Sequence, residues 1–141
     1  FSCGTSSSGA ATVADVATAT STVSTTSATL VDMKGMSITL TTGANPAIVG
    51  FEGSCFHTDA AAVTEFNVDV DGTAQVGTAG LRWATDATVS EERNCSFSIL
   101  TADQTAASHT FKIRWQTSVA TASVLGTAGI PYKMYVVEVQ D

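Results

Sequence analysis

The ten residues from Ser108 to Thr117 limit the fold more than any other part of the sequence. Apolar and polar side chains alternate through this segment, which is the period of a β-strand with one buried and one exposed face. The apolar members are Phe111, Ile113 and Trp115, and the polar members are Lys112, Arg114 and Gln116. A polar, turn-like segment precedes this strand, and an aliphatic strand from Tyr132 to Val139 closes the chain. The segment therefore predicts a strand that covers a core.

Other short segments carry strand signals at a spacing of roughly 8–12 residues, which favours an antiparallel sandwich or barrel. They are residues 22–31, 36–41, 47–51, 66–70, 77–84 and 95–100. Asp71-Gly72 follows one of them and favours the tight turn of a β-hairpin. No long segment has a helical period, although residues 58–63 are expected to form one helical turn. The sequence therefore predicts an all-β fold.

The composition indicates one domain whose surface carries few charges. The chain has 141 residues, of which 44% are hydrophobic and only 13% charged, whereas roughly a quarter are charged in ordinary domains. Serine, threonine and alanine replace the missing charges, and such a surface suits packing against copies of the same chain. A net charge of −7 with only 6 lysines and arginines argues against a nucleic-acid partner and against an anionic membrane surface. No segment reaches the roughly 20 apolar residues of a membrane span.

The first 19 residues are predicted to form an extended, flexible N-terminal arm ahead of a body that comprises residues 20–141. Residues 2–9 are rich in glycine and serine, and the mildly apolar stretch that follows contains Val13 and Val16. The arm is either a disordered leader or a strand that joins a neighbouring subunit through main-chain hydrogen bonds. The start at Phe1 suggests a processed chain, such as one from which a signal peptide was removed.

The three cysteines suggest one disulfide and one thiol that is left over. Cys55 and Cys95 both lie in the predicted body, and an oxidising location would favour a bridge between them. That bridge would close a loop of about 40 residues and stabilise the fold by about 3–4 kcal/mol. Cys3 would then be available for a cross-link between subunits. The alternative is three reduced cysteines, with Cys55 and Cys95 as small buried groups.

The sequence predicts no metal site and no cofactor. Asp69 and Asp71 resemble the start of a calcium loop, but no glutamate follows at the required offset, so we interpret them as outward residues of a hairpin. No C-x-x-C pair exists, and the two histidines are too far apart in sequence to suggest zinc. His109 is expected to cap the loop before its strand through a hydrogen bond.

Catalysis is also not predicted. Cys55 and His57 would share one face of a strand, which is the arrangement of a nucleophile and its base, but their surroundings match no protease motif. Trp115 is expected in the core, which leaves Trp83 as the candidate platform for stacking a sugar. Asn94 begins an N-x-Ser glycosylation pattern, a match that often arises by chance.

Four stretches together resemble a family of small β-sandwich domains at the ends of bacteriophage tail fibres and in other virion surface proteins. They are residues 30–43, the hairpin at residues 68–72, the strand at residues 108–117, and residues 135–139. The fold of this family is similar to the jelly roll of tumour necrosis factor and C1q. The resemblance implies a single antiparallel jelly-roll sandwich that assembles, often as a trimer, on a virion surface and has no catalytic residues.

We therefore expect a non-enzymatic structural subunit of an assembly on a virion surface or in the extracellular space. The leading hypothesis is a virion surface protein, either a capsid decoration subunit or a fibre head domain. Its expected partners are copies of itself and a capsid or fibre protein, without nucleic acid or membrane insertion. One alternative is a pilus-like cell-surface filament joined through the N-terminal arm. Another is a carbohydrate-binding module that uses Trp83.

Overall fold

The computed structural model of the chain describes residues 14–84 and 92–140, and in this part the regular structure is all β. The strands are β1 (Ala14–Ala19), β2 (Val23–Thr25), β3 (Val31–Thr41), β4 (Ala47–Glu52), β5 (Ser54–His57), β6 (Val63–Val70), β7 (Thr73–Ala74), β8 (Leu81–Ala84), β9 (Glu92–Asn94), β10 (Phe97–Leu100), β11 (Ser108–Thr117), β12 (Ala122–Leu125) and β13 (Tyr132–Glu138).

The strands form two layers. Sheet I has the order β1-β13-β4-β10, and sheet II has the order β3-β11-β6-β7, with β8 also pairing with β6. A third, shorter sheet has the order β2-β12-β5-β9. Each of its strands adjoins, along the chain, the corresponding strand of sheet I, so it continues sheet I beyond a set of breaks. All of the strand pairs are antiparallel.

The core lies between these layers and is organised around β11. Phe111, Ile113 and Trp115 are buried, as the sequence predicts. The ring of Trp115 stacks on Phe66 of the same sheet at a centroid distance of 6.2 Å, and Phe66 stacks on Phe51 of sheet I at 5.9 Å. This aromatic column links the two layers, and contacts of this kind add to the stabilisation that comes from burial alone.

Strand β3 contains a bulge that the sequence analysis does not predict. Opposite β11, the register moves from Lys112–Ser37 to Arg114–Asp32, so β3 carries extra residues at this point. Gly35 lies within the bulge at a φ of +82°, a conformation that L side chains seldom adopt. The bulge shifts the phase of the alternation, which explains why Met33 and Met36 are both buried although they lie three residues apart.

The turn after β6 agrees with the prediction, whereas the helical turn expected at residues 58–63 does not form. Asp71 and Gly72 have φ values of 51° and 91°, as in the two-residue hairpin turn that matches strand twist. In the other segment, the N–H of Thr58 donates to the carbonyl of Thr121, and the N–H of Asp59 donates to a ring nitrogen of His57. The first of these bonds joins Thr58 to a distant part of the chain, and Ala61 has a φ of 55°, which lies outside the right-handed helical region.

Part of the predicted N-terminal arm belongs to the sandwich. Strand β1 pairs with β13 of the same chain from Ala14–Val137 to Ala19–Tyr132. Ala17 and Ala19 also pack against the core, so both backbone pairing and burial fix this segment. Residues 1–13 of the arm, which include Cys3 and Val13, lie outside the described residues.

Candidate assembly surface

The outward side of sheet I carries an apolar surface that crosses all four strands. The alternation that directs Met134 and Val136 into the core directs Tyr135 and Val137 outward. Strand pairing places Val16 opposite Tyr135, and it aligns Val137, Ile48 and Leu100 on three consecutive strands. We call the outward residues Val16, Ile48, Leu100, Tyr135 and Val137 the apolar face. Val16 is 56% exposed and Leu100 is 62% exposed, which is unusual for large aliphatic side chains that lie together on one sheet.

Tyr135 and Gly50 make the centre of the apolar face flat. The two residues are register partners on β13 and β4. A β carbon built on Gly50 would lie 2.0 Å from Cζ of Tyr135, so the ring occupies the space that any other residue would fill. Gly50 is accordingly buried although it faces outward, and Tyr135 is half-buried. The tyrosine therefore lies along the sheet instead of standing away from it.

Charges lie at the border of the apolar face and not within it. Lys133 and Glu52 form an ion pair of 3.4 Å at the next outward positions on β13 and β4. These two charges neutralise each other, and Asp15, which is exposed next to Val16 on the edge strand β1, adds one negative charge at another border. Glu138 also lies on β13, but it points inward, where its Oε1 accepts hydrogen bonds from the backbone N–H of Gly43 and the side-chain amide of Asn45.

The outward side of sheet II is charged instead. Lys112 donates to Asp32 at 2.7 Å, and the guanidinium of Arg114 lies 3.2 Å from Asp32 and 3.9 Å from Asp69. The hydrogen bond from Lys112, more than any other contact, lowers the pKa of Asp32 below its usual value. With Asp71 and Thr110, these residues line an open depression of about 500 Å³. The two outer faces of the sandwich therefore differ strongly in polarity.

The predicted disulfide is present. Cys55 on β5 and Cys95, between β9 and β10, are bonded, with their Cα atoms 5.7 Å apart. The bond fastens the edge of the third sheet, where β9 adds only three residue pairs to β5. The bond also excludes Cys55 as a nucleophile activated by His57, because a disulfide sulfur is not a free thiol. His57 is buried, and its Nε2 lies 2.8 Å from the hydroxyl of Thr117.

The other predicted residues lie in different surroundings. Trp83 lies on β8, half-buried and packed against the core cluster. Its proposed contact with sugar stays a prediction. Asn94 is exposed at the end of β9, and its Oδ1 accepts the backbone N–H of Ser96. Asp71 faces outward as expected, but Asp69 is buried, with its Oδ1 accepting the N–H of Gly72.

His109 caps its loop as the sequence predicts. The residue is 8% exposed, and its Nε2 lies 2.8 Å from the backbone carbonyl of Thr105. Its Nδ1 lies 2.6 Å from Oδ2 of Asp71. This second contact was not predicted, because the hairpin turn and the loop are separated by some 30 residues and only the fold brings them together.

Sequence reasoning did not identify the apolar face as a surface. The signal in the sequence is that Tyr135 and Val137 are apolar although they occupy the outward positions of the terminal strand, where polar residues are expected. Ile48 and Leu100 belong to strands whose partners the sequence does not specify. Within residues 14–84 and 92–140, no group of three or more His, Cys, Asp or Glu side chains is placed to hold a metal ion. The same residues contain no helix long and apolar enough to cross a membrane.

Of the comparisons with known proteins, only the one with solved structures finds similar chains. No protein-family model and no curated protein matches the chain. Among solved structures, the chain is similar to a VP2 protein of infectious bursal disease virus in derived T=1 particles, with a TM-score of 0.50, 14% identity, and coverage of 89% of this chain and 35% of that chain. It is also similar to Eiger TNF from S. frugiperda, with a TM-score of 0.48, 6% identity, and coverage of 92% and 94%.

The chain thus spans about a third of the VP2 chain that it matches. At 14% identity this likeness establishes the architecture alone. The predicted all-β, antiparallel jelly-roll sandwich is confirmed. Membership in the bacteriophage tail-fibre family stays a hypothesis.

Proposed function

We propose that the protein is a non-enzymatic structural subunit of an extracellular assembly and that copies of it associate through the apolar face. The observation that carries the proposal is an uncharged, exposed apolar surface across four strands of one sheet, on a sandwich whose other outer face is charged. Exposed apolar surfaces of this kind on soluble domains mark sites of association.

The charge distribution favours a second copy as the occupant of the apolar face. With a net charge of −7, two copies repel each other most where their unpaired acidic groups meet. The apolar face itself carries no charged side chain, and its border carries the neutralised ion pair Lys133–Glu52 and the single acid Asp15, so little charge opposes the approach of a second copy there. A sheet face made flat by Tyr135 over Gly50 also lets a similarly flat surface pack closely against it.

Among extracellular assemblies, a virion surface is the proposed setting, as a capsid decoration or a fibre head. The fold is similar to that of a viral VP2 protein described in derived T=1 particles. The Cys55–Cys95 disulfide supports an oxidising location, since such bonds persist outside the reducing cytosol. The resemblance of the four sequence stretches to virion surface domains supports the same setting.

The test is the association state of matched lysine variants. Leu100→Lys places a charge in the apolar face at a position that is 62% exposed in the single chain, so folding is preserved. Ile130→Lys makes the same kind of change at 57% exposure in the loop between β12 and β13, outside the face. Burial of an unpaired charge opposes association, so Leu100→Lys should weaken it at least about 10-fold, and Ile130→Lys should leave it unchanged.

Sedimentation equilibrium of the wild type and both variants measures the effect. A wild-type oligomer that dissociates only in Leu100→Lys supports the proposal. A monomeric wild type, or equal association of all three proteins, overturns it. Electron microscopy of the native material then separates particles studded with compact knobs from continuous filaments, which the arm hypothesis predicts.

A further inference from the structure

His109 has an oxygen acceptor at each of its ring nitrogens. Nδ1 lies 2.6 Å from Oδ2 of Asp71, and Nε2 lies 2.8 Å from the backbone carbonyl oxygen of Thr105. The side chain of His109 is only 9% exposed, so water does not readily replace either partner. Neither a carboxylate nor a carbonyl oxygen can donate a hydrogen bond.

The ring therefore makes both hydrogen bonds only when it is protonated. Neutral imidazole carries one N–H, so one of its nitrogens would present a lone pair to an oxygen. Among the described residues, the hydroxyl of Thr105 is an alternative donor, with its Oγ1 3.3 Å from Nε2. A neutral His109 would keep its bond to Asp71 and exchange the carbonyl of Thr105 for this longer contact. Protonation of His109 thus determines whether Nε2 bonds to the carbonyl or to the hydroxyl of Thr105.

The two partners belong to separate segments at one end of the sandwich. Asp71 lies in the turn between β6 and β7, and its Oδ1 also accepts the N–H of Thr110. Thr105 lies in the loop that connects β10 to β11. The same loop is held by the backbone hydrogen bond from Gln104 to Asn45. His109 joins this loop to the turn. The loop is also held by the hydroxyl of Thr42, which donates to the Thr105 carbonyl at 3.2 Å, and by Oε1 of Gln75, which accepts the N–H of Ala102.

The charged groups around His109 favour the protonated ring. The hydrogen bond to Asp71 and then the one to the Thr105 carbonyl raise the pKa of His109 above its usual value of 6.5, against the effect of burial. The neighbouring charges face other partners: Asp69 accepts from Gly72, and Lys112 donates to Asp32. On the remaining sides, His109 meets Phe111 at a centroid distance of 6.5 Å, and on β3 its register partner is Leu40.

We propose that His109 is a proton-dependent clamp that joins the β10–β11 loop to the β6–β7 turn, closed when the ring is protonated and loosened when the proton leaves. The clamp makes this end of the sandwich sensitive to pH. Its contribution is complete in mild acid and disappears as the pH rises through the raised pKa of His109. The loop begins directly after β10, so the clamp adjoins the strand that carries Leu100 of the apolar face.

The first test is nitrogen NMR of the histidine rings between pH 5 and pH 9. His109 should show two protonated nitrogens at pH 6.5, and its midpoint should lie above that of an unpaired imidazole, about 6.5. The signals of His57, whose Nδ1 accepts the N–H of Asp59, are assigned separately from those of His109. A single protonated nitrogen on His109 at pH 6.5 overturns the proposal.

Two variants separate the clamp from a merely structural role. Asp71→Asn keeps an oxygen for the N–H of Thr110 but removes the charge, so the midpoint of His109 should fall toward 6.5. Thr105→Val removes the hydroxyl that the neutral ring would use and keeps the carbonyl, so the midpoint should stay high or rise. A fall in Thr105→Val, or no change in Asp71→Asn, contradicts the clamp.

Hydrogen exchange reports the loop itself. The backbone N–H of Gln104 donates to the carbonyl of Asn45. After correction for the intrinsic pH dependence of exchange, protection of this N–H should decrease as the pH rises through the His109 midpoint. In His109→Gln this step should be absent. A step of equal size in His109→Gln would assign the change to another group and refute the clamp.

Discussion

The ring of Tyr135 covers the backbone of Gly50, and a β carbon at Gly50 would lie 2.0 Å from its Cζ atom. Tyr135 therefore depends on a residue without a side chain on the neighbouring strand. This relationship fixes the shape of the apolar face, because the tyrosine is held against the sheet between Val16 on one side and Ser98 on the other.

Gly50→Ala is expected to displace the half-exposed ring from the sheet and destabilise the fold by about 1 kcal/mol, since the clash involves the outer end of a side chain that can turn toward solvent. Urea unfolding of the single variants and of Gly50→Ala combined with Tyr135→Ala measures this effect. Removal of the ring should relieve the clash, so Gly50→Ala should cost less than half as much in the Tyr135→Ala background. Strictly additive costs would show that the ring does not occupy this space.

Loss of the Cys55–Cys95 bond is expected to lower the free energy of unfolding by about 3–4 kcal/mol, since the bridge spans 40 residues of sequence. The comparison is between the wild type and the variant in which both cysteines are alanine, by urea unfolding without reductant. Cys3→Ser is the control and should leave monomer stability unchanged. Equal stability of the double variant and the wild type would contradict a stabilising role for the bond.

Asn67→Ala is expected to cost about 1–3 kcal/mol because it removes three hydrogen bonds that a buried side chain makes. The side chain of Asn67 accepts the N–H of Val76 at 3.0 Å, and its amide donates to the carbonyls of Val76 and Gly77 at 3.0 and 3.1 Å. Ser37→Ala, an exposed outward position on β3, is the control in thermal unfolding. A loss no larger than that of Ser37→Ala would show that water readily replaces these bonds.

Asp32→Asn is expected to reduce stability at pH 7 by less than about 1 kcal/mol, because the Asp32 side chain is 53% exposed and water screens its ion pairs. The pKa of Asp32 is lowered in the folded chain. Its contribution is therefore present above the usual value of 3.8 and is lost as the pH falls through the lowered pKa. Urea unfolding at pH 7 and pH 2 should show a difference between variant and wild type only at pH 7. The exposed Asp103→Asn serves as control.

The sequence by itself determined the local structure of this protein. Alternation in residues 108–117 reflects a pleated strand with one buried face, and that pattern needs no knowledge of its partners. Asp71-Gly72 specified its turn because few residues adopt positive φ at both central positions. The odd number of cysteines, with one in the N-terminal tail, pointed to the Cys55–Cys95 bond.

Only the tertiary structure decided which surfaces the molecule presents. The apolar face combines four strands from distant parts of the chain, and the order and register of those strands follow from non-local pairing. The burial of Asn67 and Asp69 could not be predicted for the same reason. Both occupy outward positions on β6, yet other parts of the chain cover them. The contact between His109 and Asp71 also depends on non-local pairing, so the sequence does not predict it. Alternation shows which side chains point away from the core, but the packing of the whole chain determines which residues those side chains contact.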